Sequence, residues 1–180
     1  MSSLSRVFSL AFAFVALPAA AALDNGANAP MFSTEASLGG NVFQYSLADA
    51  LKQGPVVMYF YPAAFTKGCT IEAHDFAAAT DKYAEFGATV IGVSHDDIDT
   101  LKRFSVSECR SKFPVAADTD GSIMKSYDAV MPGRDDYANR TSYVIAPDGK
   151  IIYSYTDLNP AKHVANTLAA VKAWSVAQGK

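Results

Sequence analysis

Hydrophobic and polar residues follow two different periods along the chain, and the change between them falls at one short stretch. Residues 56–61 form an unbroken apolar run rich in β-branched and aromatic side chains, which predicts a fully buried strand. Pro62 ends this strand because proline has no N–H to donate to a neighbouring strand. Apolar residues then recur every three or four positions up to Gly87, which predicts a helix with Cys69 in its first turn.

The remaining pattern predicts further strands and helices in alternation. Gly39-Gly40 separates two strand patterns and is typical of a two-residue hairpin loop. The order of the elements predicts an α/β fold, with a central mixed β-sheet flanked by helices on both faces and an N-terminal β-hairpin. The predicted strands lie at 32–38, 41–45, 56–61, 89–94, 113–117, 141–146 and 150–155, and the predicted helices at 47–52, 69–86, 97–110, 121–127 and 160–177.

Two regions carry more specific expectations. The segment before residue 139 is polar and lacks periodicity, so we expect an irregular loop there. The last helix is amphipathic, and its spacing predicts an inward stripe of Val164, Leu168, Val171 and Trp174.

The first 22 residues have the pattern of a secretory signal peptide. Arg6 is their only charged residue, and an apolar run at 7–17 is followed by Pro18 and small residues. This run is shorter than the about 20 residues that span a bilayer, although an uncleaved anchor remains the alternative. We therefore expect a signal peptide at 1–22, a single domain at 23–180, and export to an oxidising compartment, the bacterial periplasm.

The composition excludes several classes of function and partner but does not identify one function. The net charge of −3 gives no basic surface for nucleic acid and none for an anionic membrane, so neither is expected as a partner of the mature protein. Two cysteines are too few for a disulfide scaffold or a structural zinc site. One intramolecular bridge, two free thiols and a redox pair all remain open.

Cys69 is the candidate nucleophile on physical grounds. Unbonded N–H groups and the positive end of the helix dipole favour a thiolate over a thiol in a first turn. A helix N-terminus contributes about 1 kcal/mol of the roughly 3 kcal/mol that an ionised thiol near neutral pH requires. A cation is therefore expected nearby. The helical stripe places the thiol at the edge of the packed face.

The stretch around Cys69 resembles the active-site motif of the peroxiredoxins. Pro62-Ala-Ala-Phe-Thr66-Lys-Gly-Cys69 matches Pro-x3-Thr-x2-Cys, and the flanking residues look most like the bacterioferritin-comigratory, or Q-type, branch. The resemblance extends to 92–94 and 140–150 and covers the chain from residue 29 to the last helix. It implies a thioredoxin-like fold and a peroxidase that uses no metal or organic cofactor, with Cys69 as the peroxidatic cysteine.

The resemblance and the chemistry of the side chains together give each motif residue a role. The Thr66 hydroxyl can bond the thiolate or a peroxide oxygen, and Pro62 shields the thiolate from water. Arg140 matches the family's active-site arginine and is the expected cation, since a guanidinium stays charged and can bond both sulfur and oxygen. Glu72 is expected to support Arg140. A sulfenic acid at Cys69 is the expected product of peroxide reduction.

The resolving step departs from the pattern of this branch. Many members carry a resolving cysteine five residues after the peroxidatic one, where this chain has His74. Cys109, near the end of the next predicted helix, is the candidate resolving cysteine. We expect its Cα to lie beyond the about 7 Å limit for a bridge, so that a disulfide with Cys69 requires local unwinding. If none forms, Cys109 is inert or pairs between subunits, and an external thiol reduces Cys69.

Other interpretations remain beside this one. Arg134 lies in the same polar region and is the alternative to Arg140. The protein could instead be an exported thioredoxin-fold redox or metal carrier without peroxidase activity, or a binding protein on this scaffold. The expected partners are a peroxide and a thioredoxin-like or other thiol reductant, and the expected state is a monomer or weak dimer. The histidines are expected to be solvated or helix-capping: His74, His95 and His163.

Overall fold

The computed structural model describes residues 22–179, so the predicted signal peptide lies outside the described residues apart from Ala22. Among the described residues, no helix is both long and apolar enough to cross a membrane. The elements in chain order are β1 (Ser33–Leu38), β2 (Asn41–Ser46), α1 (Leu47–Leu51), β3 (Val56–Phe60), α2 (Lys67–Ala84), β4 (Thr89–Ser94), α3 (Ile98–Ser107), β5 (Val115–Ala117), α4 (Ser122–Ser126), β6 (Val130–Met131), β7 (Arg134–Ala138), β8 (Thr141–Ile145), β9 (Ile151–Thr156), a 3-10 helix (Pro160–Lys162) and α5 (His163–Ala177).

Seven strands form one mixed sheet in the order β2-β1-β5-β4-β3-β8-β9. The strand β3 lies inside the sheet, parallel to β4 and antiparallel to β8, with Met58 opposite both Ile91 and Tyr143. All five residues of β3 are buried, as its unbroken apolar sequence predicted. The predicted α/β class, mixed sheet and N-terminal hairpin are confirmed.

The alternation of side chains along β3 divides the apolar core between the two faces of the sheet. Val57 and Tyr59 point towards the cluster that contains residues of α2, α3 and α5. Met58 and Phe60 point towards the opposite cluster, which contains residues of α1 and α4. Tyr59 stacks on Phe76 of α2, with ring centroids 4.3 Å apart. This stacking fixes α2 against the strand that precedes it.

The hairpin formed by β6 and β7 was not predicted. The segment before residue 139 was expected to be an irregular loop, yet Val130 pairs with Ala138 and Met131 with Arg134. Four of the five residues in β7 are polar or exposed, and only Ala138 is fully buried. The strand therefore lacks the apolar alternation by which it could have been recognised.

The inward face of α5 differs from the prediction by about one residue. Its buried side chains are spaced by four, whereas of the predicted stripe only Val171 is fully buried. Polar contacts decide this rotation of the helix: the Tyr83 hydroxyl is hydrogen-bonded to Thr167 at 2.7 Å. The side chains predicted to point inward but only half-buried are Val164, Leu168 and Trp174, and the buried ones are His163, Thr167, Val171 and Ser175.

Candidate active site

A tight turn connects β3 to α2 and presents the candidate nucleophile. Asp96, just beyond β4, accepts hydrogen bonds from Ala64 N and from Ser94 Oγ, both at 2.8 Å, and so fixes the turn. Phe65 has a left-handed backbone, with φ of 63°, and its ring packs on Phe104. Sequence reasoning missed Asp96. The carboxyl ends of neighbouring parallel strands share one edge of a sheet, and this rule could have found it.

Cys69 is the third residue of α2 and so lies in the first turn of the helix, as predicted, although the helix begins two residues before the predicted range. The first N–H of the helix with an acceptor four residues back is that of Thr70, which bonds Thr66 O at 2.9 Å. The N–H of Cys69 therefore lies among the N-terminal donors that have no acceptor within the helix. The thiol was expected at the edge of the packed face, but Cys69 is only 1% exposed and lies deeper than predicted. The helix dipole thus acts on a thiol that is almost fully removed from water.

Arg140 connects three parts of the site through its guanidinium. Nη2 contacts Cys69 Sγ at 3.4 Å, Nη1 donates to Glu72 Oε2, and Nε donates to the carbonyl of Leu158 at 3.0 Å. The residue is 4% exposed and immediately precedes β8. Gly68 leaves the space that Nη2 occupies, since a Cβ there would lie 3.0 Å from it. The structure therefore brings the expected cation to the sulfur.

Glu72 is completely buried beside Arg140. Burial raises the pKa of its carboxyl to about 8, although the neighbouring Arg140 acts in the opposite direction. Its second oxygen, Oε1, lies 3.7 Å from Nδ1 of His163 and has no hydrogen-bond partner among the described residues. The predicted proximity of Glu72 to Arg140 is thus present, together with a third polar group that was not foreseen.

His163, predicted to be solvated or helix-capping, is instead fully buried, so that prediction is wrong. Its Nδ1 is hydrogen-bonded to Ser142 Oγ and its Nε2 to the carbonyl of Asp157, both at 2.8 Å. Burial is the main cause that lowers its pKa, and the nearby Arg140 adds to it. No pattern in the sequence indicates burial at this position, because a histidine at a helix start is usually solvated.

Thr66 and Pro62 lie at the entrance to α2. The Thr66 hydroxyl donates to the carbonyl of Ala63 at 3.0 Å, so its single proton is not directed at Cys69 in this structure. Its bond to the thiolate or to a peroxide stays a prediction. Pro62 is half-buried and is the second residue after β3, and its shielding of the thiolate likewise stays a prediction.

Cys109 follows α3 as a fully buried free thiol, and Cys69 is also free. Both belong to the apolar cluster on the same face of the sheet. Burial, with a smaller contribution from the carboxylate of Glu108, raises the pKa of Cys109 far above its usual range. Arg110 and Ser111 both have left-handed backbones, with φ of 51° and 55°. Two consecutive non-glycine residues in this region mark a strained segment directly after the second thiol.

Arg134, the alternative to Arg140, and His74 each pair with a carboxylate other than Glu72. Arg134 is exposed, pairs with Asp136 at 3.2 Å and covers the ring of Tyr137. His74 is partly exposed and pairs with Glu108 at 3.0 Å. Within residues 22–179, no group of three or more histidine, cysteine, aspartate or glutamate side chains could hold a metal ion.

Comparison with known proteins places this geometry in a family. A profile described as the AhpC/TSA family matches residues 25–154. A chloroplastic peroxiredoxin Q of Triticum aestivum is 34% identical over 67% of this chain and 56% of its own length, so the chain spans little more than half of that relative. Peroxiredoxin Bcp of Xanthomonas campestris pv. campestris is 30% identical over 66% of this chain and 76% of its own.

Solved structures agree with the sequence comparison. The crystal structure of peroxidoxin BcpB from Mycobacterium tuberculosis has a TM-score of 0.75 at 27% identity and covers 83% of this chain and 96% of its own. Xanthomonas campestris peroxiredoxin Q has a TM-score of 0.70 at 28% identity and covers 78% and 90%. The predicted thioredoxin-like fold and the resemblance to the bacterioferritin-comigratory, or Q-type, peroxiredoxins are confirmed, and the chain belongs to the AhpC/TSA family.

Proposed function

We propose that this protein is a thiol-dependent peroxidase that reduces hydrogen peroxide and organic hydroperoxides through Cys69. The observation that carries the proposal is the 3.4 Å contact between Cys69 Sγ and Arg140 Nη2 at the start of a helix. A cation and a helix N-terminus both favour the thiolate, which is the nucleophilic form of cysteine. Both act here on a buried sulfur, where the low effective dielectric constant strengthens them.

The reaction is a displacement at oxygen. The thiolate attacks the terminal oxygen of ROOH, the S–O bond forms and the O–O bond breaks, leaving a sulfenic acid on Cys69 and the anion RO⁻. This anion takes a proton from water to give ROH. Arg140 and the N–H of Cys69 are donors that can stabilise the charge on the leaving oxygen. The three contacts of the guanidinium use three of its five N–H groups, so donors remain for the peroxide.

An apolar surface beside the turn supports organic hydroperoxides as substrates. An open cavity of about 630 Å³ is lined by Phe65 of the turn and by Val106 of α3, both about half exposed. Lys102 and Arg103 lie at the same cavity. An organic peroxide can bury its hydrocarbon part against such a surface, whereas hydrogen peroxide gains nothing from it.

Resolution by Cys109 is the second part of the proposal. The Cys109 thiol would attack the sulfenic sulfur of Cys69, forming a disulfide and releasing water, and a thioredoxin-like or other thiol donor would then reduce the disulfide. Strain at Arg110 and Ser111 favours rearrangement of the segment that holds Cys109. The start of α2 would have to unwind at the same time.

The decisive experiment mixes reduced protein rapidly with one equivalent of hydrogen peroxide and follows thiol loss and intact mass. Wild type, Cys69→Ser and Cys109→Ser are compared. We expect wild type to lose two hydrogens, Cys109→Ser to stop at the sulfenic acid and Cys69→Ser to be inert. If thiol loss is no faster than for free cysteine, the peroxidase proposal fails. If wild type itself stops at the sulfenic acid, only the role of Cys109 fails.

Export and a monomeric or weakly dimeric state complete the proposal. The apolar run at 7–17 and the small residues after it support export, and an oxidising compartment would let a cysteine pair persist as a disulfide. Cell fractionation followed by intact mass would locate the protein and the cleavage position. A mass that retains residues 1–22 in the membrane fraction would contradict export as a soluble protein, and sedimentation analysis would test the oligomeric state.

A further inference from the structure

A row of buried polar side chains extends from the active-site arginine to the last helix. Arg140 donates to Glu72 Oε2, and the other carboxyl oxygen, Oε1, faces Nδ1 of His163 at 3.7 Å. Glu72 and His163 are both completely shielded from solvent. Oε1 is the oxygen without a hydrogen-bond partner among the described residues. A buried carboxyl oxygen in this position requires an explanation.

The carbonyl of Asp157 fixes the tautomer of His163. A carbonyl oxygen only accepts, so Nε2 must carry the proton that bonds Asp157 O. In the neutral ring, Nδ1 is therefore an acceptor with a single lone pair. Two groups face that lone pair, the hydroxyl of Ser142 at 2.8 Å and Oε1 of Glu72 at 3.7 Å. A movement of about 0.5–1 Å would bring Oε1 within hydrogen-bond distance, with the Ser142 hydroxyl turning away.

Glu72 and Cys69 compete for one guanidinium. If both were ionised, two buried anions would share a single cation, and burial makes the second negative charge costly. The raised pKa of Glu72 and the lowered pKa of His163 agree with a protonated carboxyl beside a neutral imidazole. The charged and titratable groups around the pair are Arg140 before β8, Cys69 and Asp75 on α2, Tyr59 on β3, Tyr155 on β9 and Asp157 beyond it.

We propose that His163 is a positioning residue of the active site: its Nδ1 accepts a hydrogen bond from the protonated Oε1 of Glu72, and the neutral carboxyl that this stabilises leaves the charge of Arg140 to the Cys69 thiolate. The proposal rests on the proposed function, since it assigns a role in activating the same thiol. It makes the docking of α5 part of the reactivity of Cys69, because His163 is the first residue of that helix.

The test measures the ionisation of Cys69 directly, in a Cys109→Ser background that contains one thiol. The ultraviolet absorbance of the thiolate is followed against pH, without peroxide. His163→Gln keeps an amide N–H for Asp157 O but has no acceptor at the Nδ1 position. We expect its titration midpoint to rise by about one pH unit, which lowers the rate constant with hydrogen peroxide about tenfold at a pH below the midpoint.

Combined variants separate this coupling from a general disturbance of the fold. Glu72→Gln cannot ionise, so adding His163→Gln to it should leave the midpoint where Glu72→Gln alone places it. Ser142→Ala removes the competing donor, so its midpoint should stay at or below that of the parent. His74→Gln is the matched control, because His74 also faces a glutamate, Glu108, in a pair that does not include Arg140. We expect the titration midpoint of Cys69 to stay unchanged in His74→Gln.

An unchanged midpoint in His163→Gln overturns the proposal, and so does an equal shift in the presence and absence of the Glu72 carboxyl. If His163→Gln does not fold, as judged by circular dichroism, Ser142→Ala decides: a raised midpoint in that variant overturns the proposal. The peroxidase proposal fails separately. Absence of peroxide turnover in wild type, together with the expected midpoint shifts, would contradict the proposed function and leave the coupling intact.

Discussion

Replacing Arg140 by methionine tests the central contact of the site. Methionine has a similar length and no charge, so the variant removes the guanidinium while filling much of its volume. In the native protein, Nη2 lies 3.4 Å from the sulfur of Cys69. The variant therefore loses the cation that the thiolate requires and retains the helix N-terminus.

The size of the effect follows from this distance. Two unit charges 3.4 Å apart attract each other by about 5 kcal/mol at an effective dielectric constant of about 20. Glu72 is already protonated near neutral pH, so the loss of Arg140 changes no charge on its carboxyl there. Opposite charges at such distances usually shift an ionisation by about 1–3 pH units. We expect the rate constant with hydrogen peroxide near neutral pH to fall about 10- to 1000-fold.

The assay is rapid mixing with peroxide, quenched with an alkylating agent and read as intact mass. Glu72→Gln/Arg140→Met serves as the control for stability, because no titratable carboxyl then remains unpaired. A buried polar group left without its hydrogen-bond partner typically costs about 1–3 kcal/mol, and the double variant should recover part of that without recovering the rate. Arg140→Lys should be intermediate, since an ammonium cannot reach the sulfur, Glu72 and the carbonyl of Leu158 together.

A folded Arg140→Met protein that reacts within about threefold of wild type would refute this reasoning, since that ratio corresponds to less than about 1 kcal/mol of transition-state stabilisation. Recovery of the rate in the double variant would also refute it. That result would mean that Arg140 acts only by neutralising Glu72 and not on the thiolate.

Three further measurements test separate features. Between pH 4.5 and about 8, Glu72 is protonated in the native state but ionised in the unfolded chain, so the free energy of unfolding should fall as pH rises through this range. Urea unfolding at several pH values should show a weaker pH dependence for Glu72→Gln than for wild type. Parallel pH dependences would contradict the raised pKa of Glu72. Both thiols are buried, but only Cys69 has a cation beside it, and the pKa of Cys109 is raised far above its usual range. Mass spectrometry after brief iodoacetamide treatment should therefore find Cys69 modified and Cys109 protected; equal labelling would contradict this difference in ionisation. Gly92→Ala should lower the unfolding free energy by about 1–3 kcal/mol, because its Cβ would lie 2.9 Å from the Tyr59 ring; an unchanged thermal midpoint would contradict this packing.

Local features of the sequence were sufficient for most of the fold. The strand β4 has the predicted bounds, and β3 differs from its predicted range by a single residue, because an apolar run between turn residues has few alternatives. Gly87 follows the end of α2 with φ of 69°, the backbone that its position predicted. Where the period was missing, as in the polar strand β7, the prediction of a loop failed.

The candidate site, too, was only partly predictable from local features of the sequence. The first-turn position of Cys69 and the need for a cation were both apparent in the sequence, since each follows from a pattern or from the chemistry of a thiolate. The sequence did not show how deeply the sulfur is buried. Nor did it show the rotation of α5 or the contact of His163 with Glu72. Glu72 and Arg140 are 68 positions apart, and Cys69 and Arg140 are 71 apart.

The sequence by itself therefore determined the elements, the turn that carries Cys69 and the kinds of residue its chemistry needs. Only the tertiary structure decided which distant side chains share that site. The physical reason is that hydrophobic period and turn chemistry act over a few neighbouring residues, whereas burial and the pairing of charges depend on how the whole sheet and its helices pack. Burial of Glu72 and His163, which sets the direction of both their pKa shifts, arises only when α5 closes over the sheet.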